Sequence, residues 1–356
     1  MEQNMEFEYY VRQQLERHKS IQPQDIVKLC YQAAYGAEHM LADMEAAKKY
    51  FYTEYDSVSA KKEALYEEIS QDICRINLSA WKASGMPAKW LFHMFIQSTK
   101  ELRGSKEMFL CYLQIVEEIL NGSEFSLSLD DWKEYLISYR TMGMPAVHHS
   151  ENYRVSECPA YRIVNQRFLK ILPILQRAVL LPEKNKTKVI SIDGRAASGK
   201  STMAEMLGVV LDAGVIHMDD FFLPMDLRSD KRFAEAGGNI HYERFREEVL
   251  PNIASPEGFK YRVFDCNQMD FGGERQVDES DWRIVEGSYS HHPKFGDYAD
   301  LQIFCNIGKD EQKKRIIARD GEGMAEVFGK RWIPMEEEYF RTYQIRESAD
   351  LEIWLS

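Results

Sequence analysis

The chain has 356 residues, of which 44% are hydrophobic and 29% are charged, and its formal net charge is -12. This length allows two domains, because single cores stop growing near about 250–300 residues. The negative charge argues against a general nucleic-acid or anionic-membrane surface, so we expect neither as a partner, although a local basic site is compatible with it. Six dispersed cysteines without a CxxC pair favour free thiols over disulfides or a zinc site. A polar N-terminus and the lack of long apolar runs predict a cytoplasmic protein.

The first half of the chain has a helical pattern. Apolar residues recur at helical spacing, as in Ile26, Leu29, Cys30 and Ala33. We therefore predict an all-helical domain over residues 1–180, followed by a polar linker at 181–187. The role of this domain stays open.

Two polar patches stand out in the helical half. His39 lies in the first patch, and His148, His149 and Glu151 lie in the second. Histidine and carboxylate side chains can bind a metal, but the sequence does not bring these four together. A pocket for a polar small molecule and ordinary packing are the alternatives.

From residue 188 the pattern changes to short β-rich runs separated by helical stretches. Five runs predict buried parallel strands, at residues 189–193, 214–218, 283–287, 301–307 and 351–355. Such alternation predicts a doubly wound, mainly parallel α/β sheet over residues 188–356.

A phosphate-binding pattern follows the first of these predicted strands. The chain reads GRAASGKST, which contains GxxxxGK[ST] between a strand and a helix. Glycines let the backbone N–H groups turn onto phosphate oxygens, and the helix adds its positive end. Lys200 would reach the β- and γ-phosphates, and the Ser201 hydroxyl would complete a Mg²⁺ shell. We expect the nucleotide to contact Gly194, Arg195, Ala196, Ala197, Ser198, Gly199, Lys200, Ser201 and Thr202.

Carboxylates follow two other predicted strands. Glu286 closes the strand in RIVEG and is the first candidate for the Mg²⁺ shell, with Gly287 behind it to let substrate approach. Asp219 and Asp220 follow the second strand, where neighbouring side chains point to opposite faces. We therefore expect these two aspartates to have different tasks. The alternative for Glu286 is a plain strand-end acid, and the alternative for Asp219 is a helix or turn cap beyond the strand.

Together these motifs resemble the uridine kinase-like branch of P-loop kinases, a group that includes relatives of phosphoribulokinase and bacterial pantothenate kinase. The resemblance covers residues 188–356 and is carried by DGRAASGKST, MDDFF, IVEGSYS and DEQKKRIIARD with KRWIP. It implies that Asp219 is the general base toward the acceptor hydroxyl and lies near Mg²⁺. It also implies a lid helix whose Arg315 and Arg319 close over the phosphates, with Arg331 as a third candidate.

The same resemblance implies an acceptor. Uridine kinases contact the ribose and the base near the positions of His241 and of Tyr261 with Asp265. Both segments depart from the family pattern, because His241 replaces an acid and the basic residues after Asp265 are missing.

We expect an ATP- and Mg²⁺-dependent kinase for the 5′-hydroxyl of uridine or cytidine. The alternatives are a kinase for another small hydroxyl compound, such as a sugar phosphate or a pantothenate-like molecule, and a nucleotide-switched regulator with the helical half as output. The sequence leaves open whether the protein forms a homo-oligomer and whether it prefers ATP or GTP.

Overall fold

The computed structural model describes residues 2–37, 43–101, 104–122, 125–182, 186–265 and 268–354. The chain divides into two compact units, Met1–Leu169 and Lys170–Ser356. The helix Leu172–Val179 therefore belongs to the second unit, although it precedes the linker predicted at residues 181–187. None of the helices in the described ranges combines the length and the apolar character that crossing a bilayer requires.

The first unit is mainly helical. Its α-helices are α1 (Glu2–Arg17), α2 (Pro23–Tyr35), α3 (Met44–Ser57), α4 (Leu78–Ser84), α5 (Ala88–Glu101), α6 (Lys106–Asn121), α7 (Leu129–Thr141) and α8 (Glu151–Glu157). The periodic residues of α2, such as Ile26 and Leu29, are buried as the sequence predicts. Helix α2 packs on α6 and α7, and α6 also packs on α1, which forms the helical core of this unit.

The prediction that this half is all-helical is wrong in one respect. An antiparallel sheet in the order β1-β2-β3 joins β1 (Tyr66–Glu68), β2 (Ile73–Asn77) and β3 (Tyr161–Asn165). Ile73 and Ile76 in β2 and Ile163 and Val164 in β3 are buried. These β-branched side chains fit a pleated, half-buried surface, so short strands override the helical pattern around them.

The second unit contains the predicted parallel sheet. Its strands are β4 (Lys188–Gly194), β5 (Gly214–His217), β8 (Trp282–Glu286), β9 (Leu301–Asn306) and β10 (Leu351–Trp354). All five pair in parallel in the order β10-β9-β4-β8-β5. This confirms an α/β fold of the P-loop kinase type. Its α-helices are α9 (Leu172–Val179), α10 (Lys200–Leu211), α11 (Asp230–Phe233), α12 (Tyr242–Glu248), α13 (Leu250–Ile253), α14 (Lys309–Val327), α15 (Ile333–Tyr343) and α16 (Ile345–Ser348).

Two further features shape this unit. An antiparallel hairpin of β6 (Phe259–Asp265) and β7 (Asp270–Val277), which the sequence did not predict, lies between α13 and β8 in the chain. Helix α14 is broken at Gly321, whose φ of 83° is left-handed. A π-helical turn, Phe328–Trp332, then joins α14 to α15.

The strand order places the site. The first strand along the chain, β4, lies in the middle, and the second, β5, lies at the edge beyond β8. In such open sheets, ligands bind beyond the carboxyl ends of the strands where the strand order reverses. Residues that follow β4, β8 and β5 line one cavity at this edge of the sheet.

Candidate functional site

The phosphate loop runs from the end of β4 to the first turn of α10. Gly194 has a φ of 137°, and a Cβ atom there would lie 2.1 Å from the carbonyl oxygen of Cys305, so only glycine fits beside β9. The Lys200 Nζ donates to the carbonyl oxygens of Gly194 at 2.7 Å and Arg195 at 2.9 Å. This places the ammonium group across the loop, where phosphate oxygens would bind.

The loop opens onto a cavity of about 830 Å³. Seven of the nine residues predicted to contact the nucleotide line it, namely Ala196, Ala197, Ser198, Gly199, Lys200, Ser201 and Thr202. Gly194 and Arg195 do not line it. The Arg195 guanidinium instead donates to Glu337 at 2.6 Å and to Asn306 at 2.5 Å. Arg195 thus anchors the loop from outside the cavity.

The Ala196 peptide is held on both sides. Its N–H donates to the Glu336 carboxylate at 3.0 Å, and its carbonyl accepts from the Gln312 side chain at 3.0 Å. Glu336 also accepts from the Ser288 hydroxyl at 2.7 Å. Burial raises the pKa of Glu336, an effect that the charge of Lys200 opposes. No sequence pattern indicated Glu336, because the contact joins α15 to a distant loop.

Two oxygen ligands suited to Mg²⁺ lie side by side. The Ser201 hydroxyl donates to Glu286 Oε2 at 3.1 Å, and Glu286 Oε1 lies 2.6 Å from His217 Nδ1. Glu286 is only 4% exposed, so its carboxylate is fixed by these partners. Mg²⁺ binds through one or two protein oxygens plus phosphates and waters, which this pair fits. Among the residues that the structure describes, no group of three or more His, Cys, Asp or Glu could hold a metal by itself.

Gly287 has a task besides letting substrate approach. Its φ is 129°, and a Cβ atom there would lie 2.8 Å from the Cβ atom of Met218. The glycine therefore lets the end of β8 pack against the chain that leaves β5. It also lines the cavity, as the prediction requires.

The two adjacent aspartates point to different places. Asp219 lines the cavity beside the phosphate loop, whereas Asp220 is buried outside it. Asp220 accepts from Arg275 at 2.7 and 3.2 Å and from the Tyr261 hydroxyl at 2.9 Å. The pKa of Asp219 is raised, first by loss of solvent and then by the nearby charge of Glu286. Asp219 thus faces the cavity, whereas Asp220 serves the packing of the β6–β7 hairpin.

Among the residues that the structure describes, three arginines line the cavity. Two of them, Arg315 and Arg319, come from α14 as predicted and are paired with Glu311 and Asp320. The third is Arg228, which the sequence did not indicate. The predicted Arg331 does not line the cavity; it is exposed and stacks on Trp332. The prediction that Arg331 contacts substrate therefore lacks support from its placement.

The three residues predicted to contact a nucleoside lie off the cavity. His241 caps α12, with its Nδ1 accepting from the Arg244 N–H at 3.3 Å. Tyr261 is buried and bonds to Asp220 and to the His217 N–H. Asp265 ends β6 and accepts from the Gln268 N–H at 3.4 Å. A direct contact with the acceptor is thus not supported for any of them, since each fills a structural place.

The cavity instead receives Asn239, two residues before His241, and Met269 at the tip of the β6–β7 hairpin. Asn239 belongs to the segment GGNIHY, which the family resemblance had singled out only for its histidine. A strand or helix pattern could not reveal it, because it lies in a connecting loop.

The hypothesis that the first unit binds a metal is not supported for His149. Its Nδ1 lies 3.0 Å from Asp25 and its Nε2 lies 2.7 Å from the Tyr161 hydroxyl, so neither ring nitrogen is left for a metal. Burial lowers the pKa of His149 to about 4. Glu151 forms an exposed ion pair with Arg154, and His39 lies outside the described residues. The role of this unit stays open.

The fold and the loop define the second unit as an α/β domain of the P-loop kinase type. The chain is similar to the structure of a possible uridine kinase from Bacillus stearothermophilus, with 18% identity and a TM-score of 0.41, over 52% of this chain and 99% of that one. It is also similar to a candidate fructose transport system kinase from Silicibacter sp. TM1040, with 20% identity and a TM-score of 0.39, over 48% and 91%. The sequence matches no protein family model and no curated protein.

Proposed function

We propose that the second unit is an ATP- and Mg²⁺-dependent kinase that transfers a phosphoryl group to a hydroxyl of a small molecule. One observation carries this proposal. Three neighbouring strand ends present, in order, the phosphate loop after β4, Glu286 at the end of β8 and Asp219 just beyond β5. Nucleotide phosphates, metal ion and acceptor hydroxyl would then lie in one row.

The residues divide the work of phosphoryl transfer, which depends mainly on positioning and charge stabilisation. Ser201 and Glu286 would hold Mg²⁺, which neutralises the phosphate charge when bound. Lys200 would bind the β- and γ-phosphates. Asp219 would orient the acceptor hydroxyl and accept its proton, and its raised pKa suits that exchange. Arg315 and Arg319 would stabilise charge on the transferring group.

The acceptor is the finer part of the proposal. Uridine or cytidine stays a prediction from the family resemblance, and the placement of His241, Tyr261 and Asp265 gives it no support. Another hydroxyl compound fits the same catalytic row. Cytoplasmic location stays a prediction from the sequence, and the sequence made no prediction of the oligomeric state.

An acceptor panel tests the proposal. Nucleosides, sugars, sugar phosphates and hydroxy acids would be incubated with ATP and Mg²⁺, while ADP release and phosphorylated product are measured. We expect one class to raise ADP release above the background of hydrolysis, and Lys200→Met to abolish this turnover. Lys260→Met is the matched control, because Lys260 is exposed on β6 and paired with Glu274.

The panel also separates the alternatives. If ATP binds but no acceptor raises turnover, the kinase proposal fails. A nucleotide-switched regulator would then be the better explanation of the loop.

A further inference from the structure

We propose that the acceptor carries an anionic group, a phosphate or a carboxylate, that Arg228 binds, and a hydrogen-bond donor that the side chain of Asn239 accepts. This inference rests on the proposed kinase function and names the chemical class of its acceptor.

Arg228 offers an unpaired cation to the cavity. Its Nε donates to the Leu223 carbonyl oxygen at 2.9 Å, which fixes the side chain. Within the described part of the chain no carboxylate pairs with Arg228, whereas Arg315 and Arg319 both have acidic partners. The terminal guanidinium nitrogens are thus free to form the two parallel hydrogen bonds that phosphates and carboxylates accept.

Asn239 supplies the complementary group. The residue lines the cavity but is only 4% exposed, and its side chain adjoins Tyr289. Its Oδ1 is buried without a hydrogen-bond partner in the described residues. Leaving a buried acceptor unpaired is unfavourable, so this oxygen fits a ligand that donates a hydroxyl or an amide N–H.

One stretch of backbone ties these two side chains together. The Leu223 N–H donates to the Asn239 carbonyl at 3.4 Å, and the Leu223 carbonyl accepts from Arg228. An isolated antiparallel bridge between Phe222 and Ile240 continues the contact. Arg228 and Asn239 therefore form one wall of the cavity, which we call the Leu223 wall.

The Leu223 wall lies on the acceptor side. It follows edge strand β5 and Asp219, whereas the phosphate loop follows β4, and β8 with Glu286 lies between the two strands. An anion bound by Arg228 would thus be a part of the acceptor and not a phosphate of the nucleotide. Phe222 and Phe233 also line the cavity and would contact the carbon skeleton.

Matched acceptor pairs test the inference. The pairs are uridine with uridine 3′-phosphate, fructose with fructose 6-phosphate, and pantothenol with pantothenate. We would measure kcat/KM for each compound, and its binding by calorimetry with Mg²⁺ and a non-hydrolysable ATP analogue present. In at least one pair, we expect kcat/KM and the binding constant of the anionic member to exceed those of its neutral partner by about tenfold or more. This is the size of effect expected for one charge-assisted hydrogen bond.

Variants then assign that preference. Arg228→Gln should bring the ratio of kcat/KM between the anionic and the neutral member close to one, and Arg228→Lys should keep part of the preference. Asn239→Leu should raise KM for both members of the preferred pair. Arg246→Gln is the matched control, because Arg246 is exposed on α12 and does not line the cavity. Thermal melts verify that every variant is folded.

Two outcomes overturn the inference. In the first, no anionic compound binds or reacts better than its neutral partner. In the second, Arg228→Gln lowers kcat/KM equally for both members of a pair. Arg228 would then serve the transferring phosphoryl group and not the acceptor. Failure of the kinase function is a separate result: no compound turns over, while calorimetry with the ATP analogue still reports whether Arg228 selects the anionic member.

Discussion

Substituting each of the two neighbouring aspartates in turn should separate an effect on catalysis from an effect on stability. Asp219→Asn and Asp220→Asn are the same chemical change at adjacent positions, but only Asp219 lines the cavity. We expect Asp219→Asn to lower kcat by about 10²–10⁴, the range for a lost general base. We expect Asp220→Asn mainly to lower stability, because Asp220 is buried against Arg275 and Tyr261.

The magnitude for Asp220 follows from its contacts. The change weakens two charge-assisted bonds from Arg275, at 2.7 and 3.2 Å, while an amide oxygen can still accept from Tyr261. Because the Arg275 side chain is 41% exposed, solvent compensates part of the loss. We estimate about 2 kcal/mol for the lost free energy of unfolding. For a unit of this size that corresponds to a melting temperature about 4–8 °C lower.

Asp219→Asn should have the opposite effect on stability. The pKa of Asp219 is raised in the folded protein, so above its usual pKa the ionised carboxylate costs folding free energy. A neutral amide removes this cost, which solvent screens in part because Asp219 is exposed, so the melting temperature should stay equal or rise slightly. Melts in EDTA and acceptor-dependent turnover measure both effects. The reasoning is refuted if Asp219→Asn lowers the melting temperature more than Asp220→Asn does. It is also refuted if Asp220→Asn loses more turnover than Asp219→Asn while it melts at the same temperature as the unsubstituted protein.

Three more perturbations address the glycine that follows β8, the arginines and the first unit. Gly287→Ala should cost about 2–3 kcal/mol, because its φ is positive and its Cβ would clash with Met218; Gly296→Ala has a positive φ but open space and should cost less in the same urea titration. Arg315→Gln should lower kcat at least about tenfold, whereas Arg331→Gln should leave it within about twofold in a turnover assay. Because burial lowers the pKa of His149 to about 4, the first unit should lose about 2 kcal/mol as pH falls from 6.5 to 4. His149→Asn should flatten that dependence in urea unfolding, and the exposed neighbour change His148→Asn should not; equal slopes for both variants would contradict the assignment.

Much of the second unit was predictable because its signals are local. The five strands are short apolar runs, and the phosphate loop needs particular residues at fixed spacing. Asp219 and Asp220 do point to different places as predicted, but strand alternation is not the cause. Both lie in the 3-10 turn Met218–Phe221 that follows β5, where successive side chains are about 120° apart. The hairpin escaped prediction because most of β7 is polar and exposed, so it carries no alternating pattern.

The acceptor side was much less predictable. Arg228 and Asn239 meet only through the backbone of Leu223, and no periodic pattern encodes a contact across a loop. His241 shows the reverse case. A histidine in the expected segment suggested a substrate contact, but its ring accepts the Arg244 N–H at the start of α12. Capping satisfies a backbone donor that would otherwise lack a partner, so the local need decided its place.

The grip on the Ala196 peptide has a consequence for local unfolding. Its N–H donates to buried Glu336 on α15, and its carbonyl accepts from Gln312 on α14. Glu336 is buried and its other carboxylate oxygen accepts from Ser288, so its side chain is held in place. The Ala196 amide therefore exchanges with solvent most readily when α15 and the loop separate. Opening of the loop is then coupled to movement of α15. The rate of hydrogen exchange at the Ala196 amide would therefore report how tightly α15 is held against the phosphate loop before any nucleotide binds.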